Sequence, residues 1–530
     1  MGWVLKIKVI DLVIQLSSFS PAIGLESKLV DPLSTLKPGA EKKRYIGAAL
    51  IISLFAMVSS SLFSVLIGET IFFGIFGFAI SFALVLALPQ LELRKRNAEF
   101  IARLPMDLQT LGMLIDMNIP FQDALTIVSK DEPEFREVVC EIKKGSSVQK
   151  ALSRLILENN SFELKRAISA LINSYEIGCK GSEIRAIADE MNSLSRHRLR
   201  EYSSKSAIFG LLFIVSAAVL PTFFLVYSTL GGFSVGEAFG ELEMIIALLI
   251  IFPLISFSIL MIAKSMLPYS VFGESGKKQD LRIVVPTFVM LGFFLIVPSV
   301  FSIVGIVIGA GAASYIVYAN YSSEKRIEEI ERNLPDALFS ISSMPKSAKI
   351  EDLFGVIERS GYGALSAEAK KSRMQISANL STDIVLEDLS KRNDSGMLKK
   401  ACQMLGYVFS TNSFEQMNKL ATDMLNFVEV RRERSGLLSM QKYTLVFGGL
   451  IVPLILKITL DLLQSMAHFF EGDVVTQLSF AKTIIPAYIV IYALLSSIYI
   501  QNIEERRSKS AGYFLAIVVV GLATFFFLNI

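Results

Sequence analysis

The residues of this chain that could carry chemistry are few, and their spacing argues against catalysis. His197 and His468 are its only histidines, and they lack the spacing of a zinc ligand set. Cys140, Cys179 and Cys402 stand singly, with no CxxC, so neither a metal knuckle nor a disulfide frame is readable. Gly273-Glu274-Ser275-Gly276-Lys277-Lys278 looks superficially like a phosphate loop. It has two residues between its glycines where that loop needs four, and Lys278 stands where a Ser or Thr would hold magnesium. A basic, membrane-proximal loop is the better reading. Lys457 and Asp461 lie four apart, so they can pair on one helix face. They form the one intramembrane polar pair, a class often functional; near a span end, a structural pair is the first reading. Gly305, Gly309 and Gly311-Ala312-Ala313 give small residues at helical spacing, which lets helices approach closely. The expectation is a chain that is not an enzyme and holds no cofactor and no metal.

What remains is a scaffold of helices in a membrane. The chain has 530 residues, 52% of them hydrophobic, and a net charge of +3. Its mean hydropathy is +0.53, beyond the ordinary soluble range, and the small charge gives no reason to expect nucleic acid. Apolar runs near the length of a bilayer core place nine spans at 45–66, 70–88, 207–230, 244–266, 283–298, 300–318, 443–463, 483–500 and 512–529. The stretch 283–318 is one run, read as a hairpin turning near Pro298-Ser299. The fold expected is an all-α integral membrane protein of about nine transmembrane helices with two homologous cytoplasmic helical-bundle domains.

The organisation reads in order. Residues 1–44 form an N-terminal cytoplasmic or interfacial segment, with Trp3, Val4, Leu5, Ile7, Val9 and Ile10 mixed among charges. Spans one and two fill 45–88, and the first helical domain 89–205. Spans three and four fill 206–266, a cytoplasmic loop 267–282, and spans five and six 283–318. The second helical domain takes 319–441 and spans seven to nine 442–530. Lys and Arg favour the cytoplasmic side. Lys277, Lys278, Arg282, Arg506, Arg507 and Lys509 fall on one side, with Glu69, Glu237, Glu241, Glu243, Glu471 and Asp473 on the other. That alternation puts the protein in the cell membrane, its N-terminus cytoplasmic and its C-terminus outside.

The two polar blocks align loosely. Glu99-Phe100, Leu104-Pro105 and Leu108 fall on Glu329-Ile330, Leu334-Pro335 and Leu338. Leu164-Lys165-Arg166-Ala167 and Leu171 fall on Leu398-Lys399-Lys400-Ala401 and Leu405. Ala188, Met191 and Pro221 fall on Ala421, Met424 and Pro453. An even number of spans separates the copies, so the repeat is parallel, unlike the inverted repeats of many transporters. The second copy departs from the first: Pro345 stands where the first has Ile115, and no glycine matches Gly145.

The run Leu104-Pro105 to Leu125, the segment Gly145 to Leu152 and Gly178 through Ala188 resemble the type II secretion F domain. So do Arg196, Arg198 and Arg200, which lead into a proline-bearing span. With two such domains and about nine spans, the layout resembles the archaeal type IV pilus and archaellum membrane platform proteins. The resemblance implies a platform that anchors a filament base. Its partners would be a hexameric secretion ATPase, pilin or archaellin subunits, membrane lipid and a second copy in a homodimer. Five basic groups lie near the expected cytoplasmic face: Arg94, Lys95 and Arg96; Arg196, Arg198 and Arg200; Lys277 and Lys278; Arg431, Arg432 and Arg434; Arg506 and Arg507. Positive-inside topology and anionic lipid account for such groups, and docking of acidic ATPase patches is the alternative. A transporter and a non-filament membrane scaffold are the competing functions.

Overall fold

The computed structural model of the chain describes residues 42–67, 72–158, 161–231, 241–268, 287, 301–345, 348–466, 474–504 and 507–527. These form helices and turns, with no strand among the described residues. The expected interfacial segment before residue 42 lies outside them, as do Lys277, Lys278, Arg506 and all of 283–298 but Thr287.

Two compact units divide at Ile101 and Ala102. The first holds α1 (Lys42–Ile67) and the N-terminal part of α2 (Phe72–Asp116). Tyr45, Ile46, Ala48 and Ala49 are buried with Val85 and Leu86. Tyr45 donates its hydroxyl to the Val85 carbonyl at 2.9 Å.

In the second unit the end of α2 is followed by α3 (Phe121–Val128), α4 (Pro133–Lys143), α5 (Val148–Glu158), α6 (Phe162–Ile177) and α7 (Gly181–Ile214). A π-helical turn at Val215–Val219 leads into α8 (Leu220–Gly231). Then come α9 (Glu241–Ile246), a second π turn at Ala247–Ile251 and α10 (Phe252–Met266). The second block is α11 (Phe301–Ser342), α12 (Ile350–Arg359), α13 (Ala364–Ser377), α14 (Thr382–Arg392), α15 (Gly396–Ser410) and α16 (Gln416–Met466). Two further helices, α17 (Val474–Glu504) and α18 (Arg507–Phe527), close the chain. Apolar spacing explains the short helices: α3 buries Phe121, Ala124, Leu125 and Val128 on one face. Ser395 caps α15 by accepting from the Leu398 amide.

The blocks run helix for helix in the same order, and they end matching helices the same way. After α4, Gly145 turns left-handed at φ 97°, and the Ser146 amide reaches back to the Glu141 carbonyl. After α13, Asn379 does so at φ 64°, and Leu380 reaches back to Gln375. Asparagine tolerates this conformation better than other side-chain-bearing residues, which is how the second block manages without a glycine there. Gly178 and Asn412 play the same two parts after α6 and α15.

Four helices are long and apolar enough to cross a membrane among the described residues: Gly181–Ser228, Glu243–Met266, Gln416–Met466 and Leu478–Gln501. They contain the expected spans 207–230 (to Ser228), 244–266, 443–463 and 483–500. Gly512–Phe527 is a shorter apolar helix. Helix also occupies 45–66, 72–88 and 301–318.

Within this bundle α7 and α16 lie side by side and parallel. Ser203 donates to the Leu437 carbonyl at 2.8 Å, a separation of 234 residues, and a Cβ on Gly210 would meet Thr444. The contacts rise together along both helices, so each block joins the bundle at the same end. The helix α17 is the hub, with 72% of its apolar window buried inside the protein against 33–44% for the other three. Its tyrosines serve backbone carbonyls that would otherwise lie in an apolar medium. Each π turn ends two residues before a proline, Pro221 and Pro253, whose ring and missing N–H disturb the preceding ladder. Pro221 has no N–H to offer the Ala217 carbonyl one turn back, and Tyr488 donates there at 2.7 Å. Ser216 and Ser256 join across the same layer at 3.0 Å.

Tyr492 donates to the Leu445 carbonyl at 3.1 Å, a contact that requires a glycine at 448. A Cβ there would stand 2.1 Å from the Tyr492 hydroxyl oxygen. Gly448→Ala is therefore expected to lower stability by about 1–3 kcal/mol, measured as thermal unfolding in detergent. The loss should shrink in a Tyr492→Phe background, which removes the obstructing oxygen.

Candidate functional site: the seam between the helical blocks

The basic residues picked out by sequence fall into three situations. Arg94 and Lys95 are exposed on α2, with Lys95 3.7 Å from Glu99; Arg96 is half-buried. Lys277, Lys278 and Arg506 lie outside the described residues, and Arg507 opens α18. The groups at Arg196–Arg200 and Arg431–Arg434 are brought together where α7 meets α16. Arg200 donates to Glu433 at 2.6 and 3.0 Å, and Arg196 lies 3.7 Å from the same carboxylate. Arg198 pairs with Glu163 and Arg431 with Glu331. Arg434 is buried and donates to the Pro268 carbonyl at 2.6 Å. Arg432 is exposed. Most of these cations thus hold internal partners.

The intramembrane pair forms: Lys457 reaches Asp461 at 2.7 Å, and its ammonium lies 6.0 Å from the Phe525 ring centre. Nearer the blocks, Lys442 pairs with Glu504 at 2.6 Å beside Tyr513. The two lysines sit on one helix and both face α18 aromatics, so each charge is partnered rather than left in the bundle alone.

The most unusual chemistry lies in a contact that sequence reading missed. The C-terminal part of α2, from the first block, packs on α15 and α16 of the second. Met106, Gln109, Thr110 and Met113 face Met404, Leu420, Asp423, Met424 and Phe427 around a cavity of about 10 Å³, room for one water. Beside it, Lys400 reaches Asp107 at 3.4 Å, with side chains only 7% and 1% exposed. The other Asp107 oxygen and the Gln109 carbonyl oxygen are buried without a hydrogen-bond partner. Around the seam, Arg103 holds Glu132 at 3.2 Å, Lys399 approaches Asp131 at 3.5 Å, and Lys419 reaches Asp116 at 2.9 Å.

Burial dominates the electrostatics here. It pushes the Asp107 carboxyl up to about 6, against the pull of Lys400. It pushes Glu132 up to about 7, helped by the charge on Asp107 and opposed by Arg103. A carboxyl raised in the packed state favours packing while it is protonated. That contribution is full below the ordinary carboxylate range and is lost as pH rises through 6 to 7. Orphaned polar atoms add a cost of about 1–3 kcal/mol each. The sequence did carry one signal: Asp107 interrupts the apolar face of Leu104, Leu108 and Leu111, and Lys400 sits between Leu398 and Ala401.

Removing one partner should be worse than replacing both. Lys400→Ala is expected to cost about 3–5 kcal/mol near neutral pH and less in acid, where Asp107 is protonated. Asp107→Leu with Lys400→Met should be neutral or stabilising, as read from denaturant unfolding of the purified chain. In comparison with known proteins, no family, curated protein or solved structure matches this chain.

Proposed function

We propose that this chain is the membrane platform of a filament-assembly machine similar to the archaeal type IV pilus and archaellum platforms. In this reading it has nine spans and two homologous F-type domains in the cytoplasm. The observation that carries the reading is the helix-for-helix match of the two blocks. It is joined by the parallel packing of α7 on α16 at a separation of 234 residues. A duplicated unit with an even number of spans between its copies needs this arrangement, because both copies must leave the membrane on the same side. The role is non-enzymatic: the blocks offer rigid helical surfaces to a hexameric secretion ATPase, and the apolar bundle meets pilin or archaellin subunits and lipid. Exposed Arg432 and the cations gathered around Glu433 are the proposed ATPase contact.

Deleting the gene and imaging the cells tests the role. Loss of surface filaments, restored by the intact gene, is expected; an unchanged filament count overturns it. Sidedness is tested separately with Ser153→Cys in α5 and Ser360→Cys after α12, both exposed positions. A membrane-impermeant maleimide should label neither in intact cells and both after lysis. Labelling of one alone removes the same-side layout.

A further inference from the structure

The seam is built unlike the apolar pocket inside the second block. Four of the nine residues around its cavity are methionines, Met106, Met113, Met404 and Met424, and their unbranched thioethers repack readily. Two buried oxygens, on Asp107 and Gln109, are satisfied by nothing in the closed arrangement, yet water would satisfy both if the surfaces parted. Two further links across it, Lys399 to Asp131 and Lys419 to Asp116, end in partly exposed side chains, where ion pairs hold weakly. The pocket within the second block differs: Leu334, Ala337, Leu338, Phe354, Ile357 and Leu365 are among its lining, which is apolar throughout.

We propose that this seam is a separable contact, and that the two helical blocks alternate between the packed arrangement and an open one in which Asp107 and Gln109 are hydrated. Opening keeps each block intact, because α2 and α16 stay attached to their own neighbours; the methionine-rich surfaces part, and the pairs of Asp107 with Lys400, Asp131 with Lys399 and Asp116 with Lys419 part with them. It is independent of what the chain assembles with.

Charge sets the direction. Asp107 faces Lys400 on α15, Asp131 and Glu132 from the α3–α4 turn, and Arg103 on its own helix. Glu132 faces Arg103, Asp107 and Glu134. Across the cavity, Asp423 stands near Arg185 and Asp189 of α7 and Lys419 of its own helix. Asp107 and Glu132 both prefer the protonated form when packed. Acid therefore closes the seam, and rising pH opens it as the carboxyls ionise.

Pulsed electron resonance distances on the full-length chain in detergent test this. Spin labels go on Ser153→Cys and Ser360→Cys, with Cys140, Cys179 and Cys402 replaced by alanine. One short distance is expected at a pH of about 5, and a second, longer one should grow as pH rises to about 8. The open-to-closed ratio should increase about tenfold or more, as expected for a shift of at least one pKa unit. Asp107→Leu and Lys400→Met together with Glu132→Gln remove the two carboxyls that set the direction and should hold the short distance at both pH values. A single unchanged distance across that range in the parent chain overturns the proposal. So does a longer population that persists unchanged in that triple replacement.

Discussion

Two helices that do not stop at the membrane surface hold this molecule together. α7 begins as the last helix of the first block and α16 as the last helix of the second, and both continue into the apolar bundle. They touch along their length, through Arg200 and Glu433, Ser203 and Leu437, and Gly210 and Thr444. Because the contacts advance in step, neither block can tilt without moving the helix that anchors the other.

The bundle satisfies its own backbone in a way that fits the apolar surroundings. Prolines at 221 and 253 each follow a π turn, and a tyrosine of α17 reaches the carbonyl one turn before Pro221. Near the blocks, Tyr202, Gln441 and Tyr499 link α7, α16 and α17 in one buried hydroxyl and amide cluster. The same helix, α17, therefore ties both block-bearing helices at two levels.

Much of the architecture was legible because it rests on periodicity. Leu104-Pro105 and Leu334-Pro335 both lie in long helices that run from apolar to polar sequence. Gly145 and Gly178, which open two of the segments that carry the resemblance, stand at helix ends. The second block has no glycine matching Gly145, and Asn379 adopts the left-handed turn there instead. The basic clusters were visible, but their partners were not: Glu433 lies far from Arg200 and Glu331 far from Arg431 in sequence. The seam was the least legible part. Its central pair joins residues 293 apart, and a charged residue on an apolar face gives no hint of which distant element will cover it.

The central claim, that α7 and α16 run parallel and in register, has a direct test. An ideal Cβ on Gly210 lies 3.5 Å from the Thr444 Cβ, at the short end of the range of about 3.5–4.5 Å that a disulfide needs. Gly210→Cys and Thr444→Cys, in a chain lacking Cys140, Cys179 and Cys402, should form a bond within one chain when native membranes are oxidised. Peptides from the two halves should then stay joined after proteolysis until a reductant is added. Two free thiols after oxidation, or a bond formed only between separate chains, would contradict the account.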